Sequence, residues 1–352
     1  MNQTDVLFVD DDVNVLSALR RMLHPYRGRW QMHFAVGGRE AIQRMQESSF
    51  DVVISDMRMP EMDGVEVLRA AKEYAPAALR AVLSGQSDRE QTMRVLETAH
   101  QFISKPCDLN SLESVILKAQ LLKAELPLNE LKIMATSLSS LPTDRRKLAA
   151  LKEELLSPYP TIDRVASIVA SDIGMASKVL QLVCSSFFSQ PSKVLCPQAA
   201  SKLLGIELMT ELTMHRNLFH EFRTHPHSFF SIEKFTEHSL AVANEARAKA
   251  IDGGGDTKQV EGAFLAGLLH DVGKLILADQ FAESYGAAME LSFCTGVPLW
   301  KSEIHVFGTS HAEIGSYLLA LWGLPISIVD AVASYRHPES ILQPNNSSGV
   351  LS

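Results

Sequence analysis

Two spacing patterns divide this chain. Over roughly the first 120 residues, short apolar runs alternate with amphipathic stretches of helical period. The runs Val6–Val9, Met32–Val36, Asp51–Ser55, Arg80–Ser84 and Gln101–Ser104 predict strands. Helical patterns stand between them near Val13–Leu23, Arg39–Glu47, Val65–Glu73 and Arg89–Thr98, and a fifth runs from Leu109 to about Ala124. Five strand–helix units with short connections predict an α/β region, a parallel sheet covered by helices on both faces.

After Ala124 the strand signal ends. Pro127 and Ser137–Pro142 mark a joint, with a short helical piece between them. From Thr143 to about Arg336 the pattern is helical almost throughout. Asp256 with Gln259, and Ser310 with Glu313, have capping-box spacing. Gly273, Gly308 and Gly323 stand where helices should stop, and Pro298 and Pro325 where new ones should begin. Asp252–Asp256 reads as a loop, and the tail PNNSSGVLS as mobile. The expected division is an α/β domain over 1–123, a joint over 124–142, an all-α bundle over 143–340 and a tail over 341–352.

Composition narrows the function classes. The 352 residues are 46% hydrophobic and 21% charged, which suits two packed domains and excludes global disorder. A net charge of −8 argues against a nucleic-acid-binding surface, so no direct DNA binding is expected. Cys107, Cys184, Cys196 and Cys294 form no CxxC pair, which fits a reducing compartment. The opening MNQTDVLFVDDD has no basic segment or long apolar stretch, and no apolar run approaches the ~18–20 residues of a membrane span. The expectation is a cytoplasmic protein without a membrane segment.

Candidate chemistry gathers at the strand ends. Asp10 and Asp11 close the first strand, Asp56 the third, Ser84 the fourth and Lys105 the fifth. Ligands of open parallel sheets bind at that edge, so these side chains should share one crevice. Three carboxylates together need a cation, and Mg²⁺ suits oxygen ligands completed by a substrate phosphate. A lysine and a hydroxyl opposite would hold phosphoryl oxygens while a carboxylate attacks phosphorus.

In this order "VLFVDDD", "DVVISDMRMPEMDG", "AVLSGQSD" and "FISKP" resemble a response-regulator receiver domain, of flavodoxin-like fold. The resemblance implies that Asp56 is the phosphoacceptor and that Asp10, Asp11 and the Arg58 backbone carbonyl are Mg²⁺ ligands. It implies that Ser84 bonds the phosphoryl group, that Lys105 pairs with it and that Phe102 is the aromatic switch. Asp12 is an extra acid, read as solvated or as a helix cap. A histidine kinase is the implied phosphodonor.

The helical half carries its own set of possible ligands: His238, the adjacent His270 and Asp271, His311 and His337. Imidazoles and carboxylates from separate helices of a bundle are one way to build a metal centre. Histidines on helices also serve as ordinary hydrogen-bonded residues, and that is the reading for His305 and Asp330. His215, His220, His225 and His227 read as solvated residues around a loop.

"SDIGMASKVLQLVCSSFF", "AFLAGLLHDVGKLIL", "SHAEIGSYLLALWGLP" and "YRHPE" resemble the HDOD family, an all-α relative of HD phosphohydrolases generally regarded as a non-catalytic output module. His270, Asp271, Gly273 and Lys274 match the HDxGK segment of the related HD-GYP phosphodiesterases. Arg336 stands at the first of their two later histidines and His337 at the second, and no GYP follows. Arginine stays protonated and repels a cation. The expected protein is therefore a bacterial two-component response regulator whose helical half relays the signal by contact with an unknown downstream protein. Its vestigial site would comprise His238, His270, Asp271, His311, His337 and Lys274. A divalent cation there, a homodimer, and an active metal-dependent phosphohydrolase are the alternatives left open.

Overall fold

The computed structural model describes residues 3–85, 94–125, 129–184, 194–215, 218–223 and 230–335. Its first part is a parallel sheet of β1 (Thr4–Asp10), β2 (Trp30–Val36), β3 (Val52–Asp56), β4 (Leu79–Ser84) and β5 (Gln101–Ser104), in the order β2-β1-β3-β4-β5. Every residue of β3 and β4 is buried, as a sheet covered on both faces requires. Helices α1 (Val13–Met22), α2 (Gly38–Glu47), α3 (Gly64–Tyr74) and α4 (Leu109–Glu125) supply the cover. Asp12 starts α1 by accepting from the Asn14 N–H at 2.7 Å, and Asp63 with Glu66 starts α3 in a capping box. The strand order reverses at β1, which opens a crevice at the carboxyl ends of β1 and β3. The first half of the helix expected over Arg89–Thr98 lies outside the described residues, which resume at Arg94.

The second part is helical. Helix α5 (Asn129–Ser137) lies in the joint. There follow α6 (Arg145–Leu155), α7 (Ile162–Ala170), α8 (Ile173–Cys184), α9 (Pro197–Met214), α10 (Ile232–Asp252) and α11 (Thr257–Leu269). Then come α12 (Val272–Gln280), α13 (Ala282–Thr295), α14 (Leu299–Phe307), α15 (His311–Leu321) and α16 (Ile326–Ser334). Pro298 and Pro325 precede α14 and α16, and both expected capping boxes form. Among the described residues no single helix is long and apolar enough to cross a membrane.

Three expectations need correction. A two-residue parallel pairing of β6 (Pro142–Thr143) with β7 (His220–Glu221) interrupts the helical pattern. Gly273 does not stop a helix; it lies in the first turn of α12, where a Cβ would meet the His311 carbonyl oxygen at 1.8 Å. Only glycine permits that approach. Finally, His220 is part-buried and held, with Nδ1 3.0 Å from Ser140 Oγ, while His215 is part-buried with Nδ1 3.2 Å from the Glu97 carboxylate. His225 and His227 lie outside the described residues.

The two parts are docked through the β4–β5 side of the sheet. Arg80, almost wholly buried, donates to the carbonyls of Thr98 (2.8 Å) and Thr136 (2.5 Å). Its backbone N–H donates to His100 Nδ1 at 3.0 Å, which leaves the His100 Nε2–H for the Thr136 carbonyl. Burial first, then the Arg80 charge, holds His100 well below the usual histidine range, consistent with that neutral tautomer. From the other side, α8 sends Lys178 Nζ to the Leu96, Ser139 and Gln181 oxygens at 3.1, 2.7 and 3.0 Å. Gln181 Nε2 reaches the His100 carbonyl at 3.1 Å. Helix α15 packs on α4 and α5.

Lys178 gives this docking a pH signature. Three acceptors match an ammonium's three donors, while burial opposes the charge and pushes the group down from 10.5 to about 7. Below pH 7 the folded and unfolded chains both hold the proton, and the burial penalty is fully present. As pH rises toward 10.5 the folded chain releases its proton first, so stability rises. Lys178→Met orphans two main-chain carbonyls and should destabilise by about 1–3 kcal/mol at pH 7. The gap from the parent should widen by about 2 kcal/mol between pH 7 and 9 in urea unfolding. A gap that is constant with pH contradicts this account of Lys178.

Candidate functional site

At the carboxyl edge of the sheet, Asp10, Asp11 and Asp56 each offer an oxygen within 4.8 Å of the others. Lys105, just past β5, places Nζ 2.7 Å from Asp56 Oδ1 and 3.2 Å from Asp10 Oδ2. The Met57 N–H also donates to Asp56 Oδ1, at 2.7 Å, and the Asp12 N–H to Asp10 Oδ1, at 2.9 Å. Asp10 and Asp56 are buried, while Asp11 is exposed. Ser84 and Phe102 are buried on adjacent strands, with Ser84 Oγ donating to the Gly85 carbonyl at 3.2 Å. Arg58 follows in the β3–α3 loop with its side chain exposed.

Burial is the largest influence on Asp56 and pushes its carboxyl above the ordinary range. The Lys105 hydrogen bond and charge oppose this, and the Asp10 charge adds to it. Burial acts against the Lys105 ammonium, but its bond to Asp56 and the two carboxylate charges outweigh that and raise it. Three acids facing one ammonium leave excess negative charge. A hard, oxygen-coordinated dication of the Mg²⁺ kind fits this donor set.

The second centre lies where α10, α11, α12 and α15 meet. His270 Nδ1 donates to the Gly267 carbonyl at 2.8 Å, so its Nε2 faces Asp271 Oδ2 at 3.2 Å. His238, 58% exposed, brings Nε2 to 3.8 Å from the same oxygen. These three residues form a group able to hold one cation. Lys274 Nζ is already on that oxygen at 2.6 Å.

His311 takes a different place. It is wholly buried, with Nδ1 on Glu303 Oε2 and Nε2 facing the Tyr335 hydroxyl at 2.7 Å and Asp271 Oδ1 at 3.3 Å. Tyr335 Oη donates to Asp271 Oδ1 at 2.5 Å. Burial would raise the Asp271 carboxyl, but hydrogen bonds from His270 and His311 and the Lys274 charge hold it far below the carboxylate range. His305 and Asp330 do not join the ligand group, and Arg336 and His337 lie outside the described residues. Sequence patterns missed Glu303 and Tyr335. Tyr335 stands one position before Arg336, and Glu303 is a lone acid on a short amphipathic helix.

A family model for the HDOD domain matches residues 141–338, and one for the response regulator receiver domain matches residues 6–117. The chain belongs to the HDOD family. It is a response regulator with an N-terminal receiver and a C-terminal HDOD domain. The receiver is 33% identical over 116 residues to the transcriptional regulatory protein ZraR of Escherichia coli K12, a match covering 33% of this chain and 26% of that protein. It is 34% identical over 107 residues to protein-glutamate methylesterase/protein-glutamine glutaminase 3 of Geobacter sulfurreducens, covering 30% of this chain and 29% of that one. The chain thus spans less than a third of the length of these curated relatives. Among solved structures, the MmoQ response regulator of Methylococcus capsulatus is similar at 25% identity and a TM-score of 0.45, over 55% of this chain and 73% of that one.

The raised Asp56 carboxyl sets a pH test on the receiver. As pH falls from 7.5 into the acid range, protons compete with a dication for Asp56 at higher pH than for an ordinary aspartate. Mg²⁺ affinity by calorimetry should fall as the pH is lowered, and Asp56→Asn should flatten the profile. An unchanged affinity in the parent chain contradicts the role given to Asp56.

Proposed function

We propose that this response regulator is a phosphorylation-controlled relay. Asp56 accepts a phosphoryl group from a histidine kinase, and the HDOD half passes the change to a downstream protein without turning over a substrate. The observation that supports this best is the convergence of Asp10, Asp11, Asp56 and Lys105 at one sheet edge. Asp56 Oδ1 is held by Met57 and Lys105, which leaves Oδ2 to attack. The new O–P bond forms as the P–N bond to the kinase histidine breaks, and the leaving imidazole takes a proton from water. Esterification removes the Asp56 charge, so Lys105 turns to a phosphoryl oxygen and Ser84 Oγ to another. Mg²⁺, held by Asp10, Asp11, Asp56 and the Arg58 carbonyl, would supply charge neutralisation.

A non-catalytic HDOD half is supported by the partners of Asp271. Lys274 and Tyr335 already satisfy both of its oxygens, and His311 has both nitrogens engaged. The opposing reading, a metal-dependent phosphohydrolase, draws support from the grouping of His238, His270 and Asp271.

Incubation with a small phosphodonor should add one phosphoryl mass to the parent chain, none to Asp56→Ala, and little with EDTA. Labelling that persists in Asp56→Ala contradicts the acceptor assignment. With Mn²⁺, Fe²⁺ or Mg²⁺, no hydrolysis of cyclic dinucleotides or a generic phosphodiester is expected. Turnover lost in His270→Ala but kept in Asp56→Ala would establish the opposing reading.

A further inference from the structure

Helix α15 runs from the His270–Asp271 cluster to the amino end of β5 in the receiver. Its first residue, His311, donates its backbone N–H to Glu303 Oε2 at 2.9 Å and presents Nε2 to Tyr335 and Asp271. Beside it α12, which carries Lys274, meets α15 backbone on backbone. A Cβ at Gly273 would strike the His311 carbonyl, and one at Gly315 would come within 3.0 Å of the Gly273 nitrogen. Only the Val272 side chain, 2.9 Å from that Cβ position, shares the contact, so the two helices have little room to slide independently. At the other end, the last carbonyls of a helix have no partner within it. Here the receiver supplies one and grips the turn just beyond: Gln101 Nε2 donates to the Leu321 carbonyl at 3.0 Å, and Lys118 Nζ to the carbonyl of Gly323, two residues past the helix, at 3.1 Å.

Gln101 is the neighbour of Phe102 on β5, so the two side chains point to opposite faces of the strand. Phe102 is turned into the receiver core, while Gln101 grips α15. The helix has 11 residues and is ~16 Å long, too short to bend appreciably between its ends. A shift of β5 against the HDOD domain must therefore break the two caps or carry α15 along. Carrying it along changes the hydrogen bonds that His311 makes to Tyr335 and Asp271.

We propose that α15 couples the receiver to the His270–Asp271 cluster in both directions: phosphorylation at Asp56 resets the cluster, and the cluster's hydrogen bonding sets how tightly the receiver holds a phosphoryl group. This rests on Asp56 being the acceptor. The reverse direction follows from thermodynamic linkage, since a coupling free energy between two sites is shared by both.

A double-mutant cycle tests it. Binding of beryllofluoride, a phosphoryl mimic, would be titrated calorimetrically with Mg²⁺ into four full-length chains: the parent, Tyr335→Phe, Gln101→Leu with Lys118→Met, and all three changes together. Tyr335→Phe lies in the HDOD domain, away from Asp56, yet should change beryllofluoride affinity by about threefold or more, and this effect should vanish in the uncapped background. If the uncapped chain does not fold, Gln101→Ala alone, which keeps the Lys118 cap, should reduce the effect. Equal affinity in the parent and Tyr335→Phe overturns the coupling, as does an effect of equal size in both backgrounds. If the parent binds no beryllofluoride, the acceptor assignment fails and the coupling falls with it.

Discussion

Burying positive charge against main-chain carbonyls is the constraint on which the arrangement of this protein depends. Lys178 and Arg80 are both out of water at the interface between receiver and HDOD domain, and the oxygens bonded to them are carbonyls or an amide. Glu97 lends Lys178 only a charge at longer range, and its own close partner is His215. These bonds by themselves add little surplus stability, because desolvating a cation offsets much of what its hydrogen bonds return. The interface is nonetheless specific, since a slip of either domain would leave a buried cation without acceptors. Under the proposed relay a phosphoryl group would shift this docking, and a ligand moves an equilibrium only by its differential affinity for the two states.

The two centres differ in charge balance, and this supports the different roles proposed for them. The receiver cluster holds three carboxylates beside Lys105, a donor set that fits a hard dication. In the HDOD cluster two buried carboxylates face more positive and donor groups: Asp271 is surrounded by His238, His270, Lys274, His311 and Tyr335, and Glu303 holds the far side of His311. Lys274 and Tyr335 already sit on the two Asp271 oxygens, while His238, His270 and Asp271 remain a group able to hold one cation.

The receiver was legible because its chemistry is tied to strand ends. Apolar runs locate β1, β3, β4 and β5, and the polar residue that closes each run is then placed at one edge of a parallel sheet. The all-α class of the second half was legible from its helical period, and the capping boxes of α11 and α15 from four-residue patterns. Hydrophobic period shows that a face is buried but not what buries it, so nothing in the pattern of α8 or α15 pointed to the receiver as partner. Gly273 was misread for a related reason. A glycine near a helix end serves equally as a stop or as a point of close approach, and only the position of His311 decides. Glu303 and Tyr335 were missed because a lone buried acid or phenol gains its meaning from a partner that is distant in sequence, here His311 and Asp271.

The central claim is that the state of Asp56 governs the docking of the two domains. Hydrogen exchange on the full chain, phosphorylated and unphosphorylated, with Asp56→Ala carried through the same treatment, tests it most directly. Phosphorylation should change amide exchange in β5, in the amino-terminal half of α8 and along α15, with no change in Asp56→Ala. Identical exchange in those elements, in a chain shown by mass to be fully phosphorylated, would contradict the account.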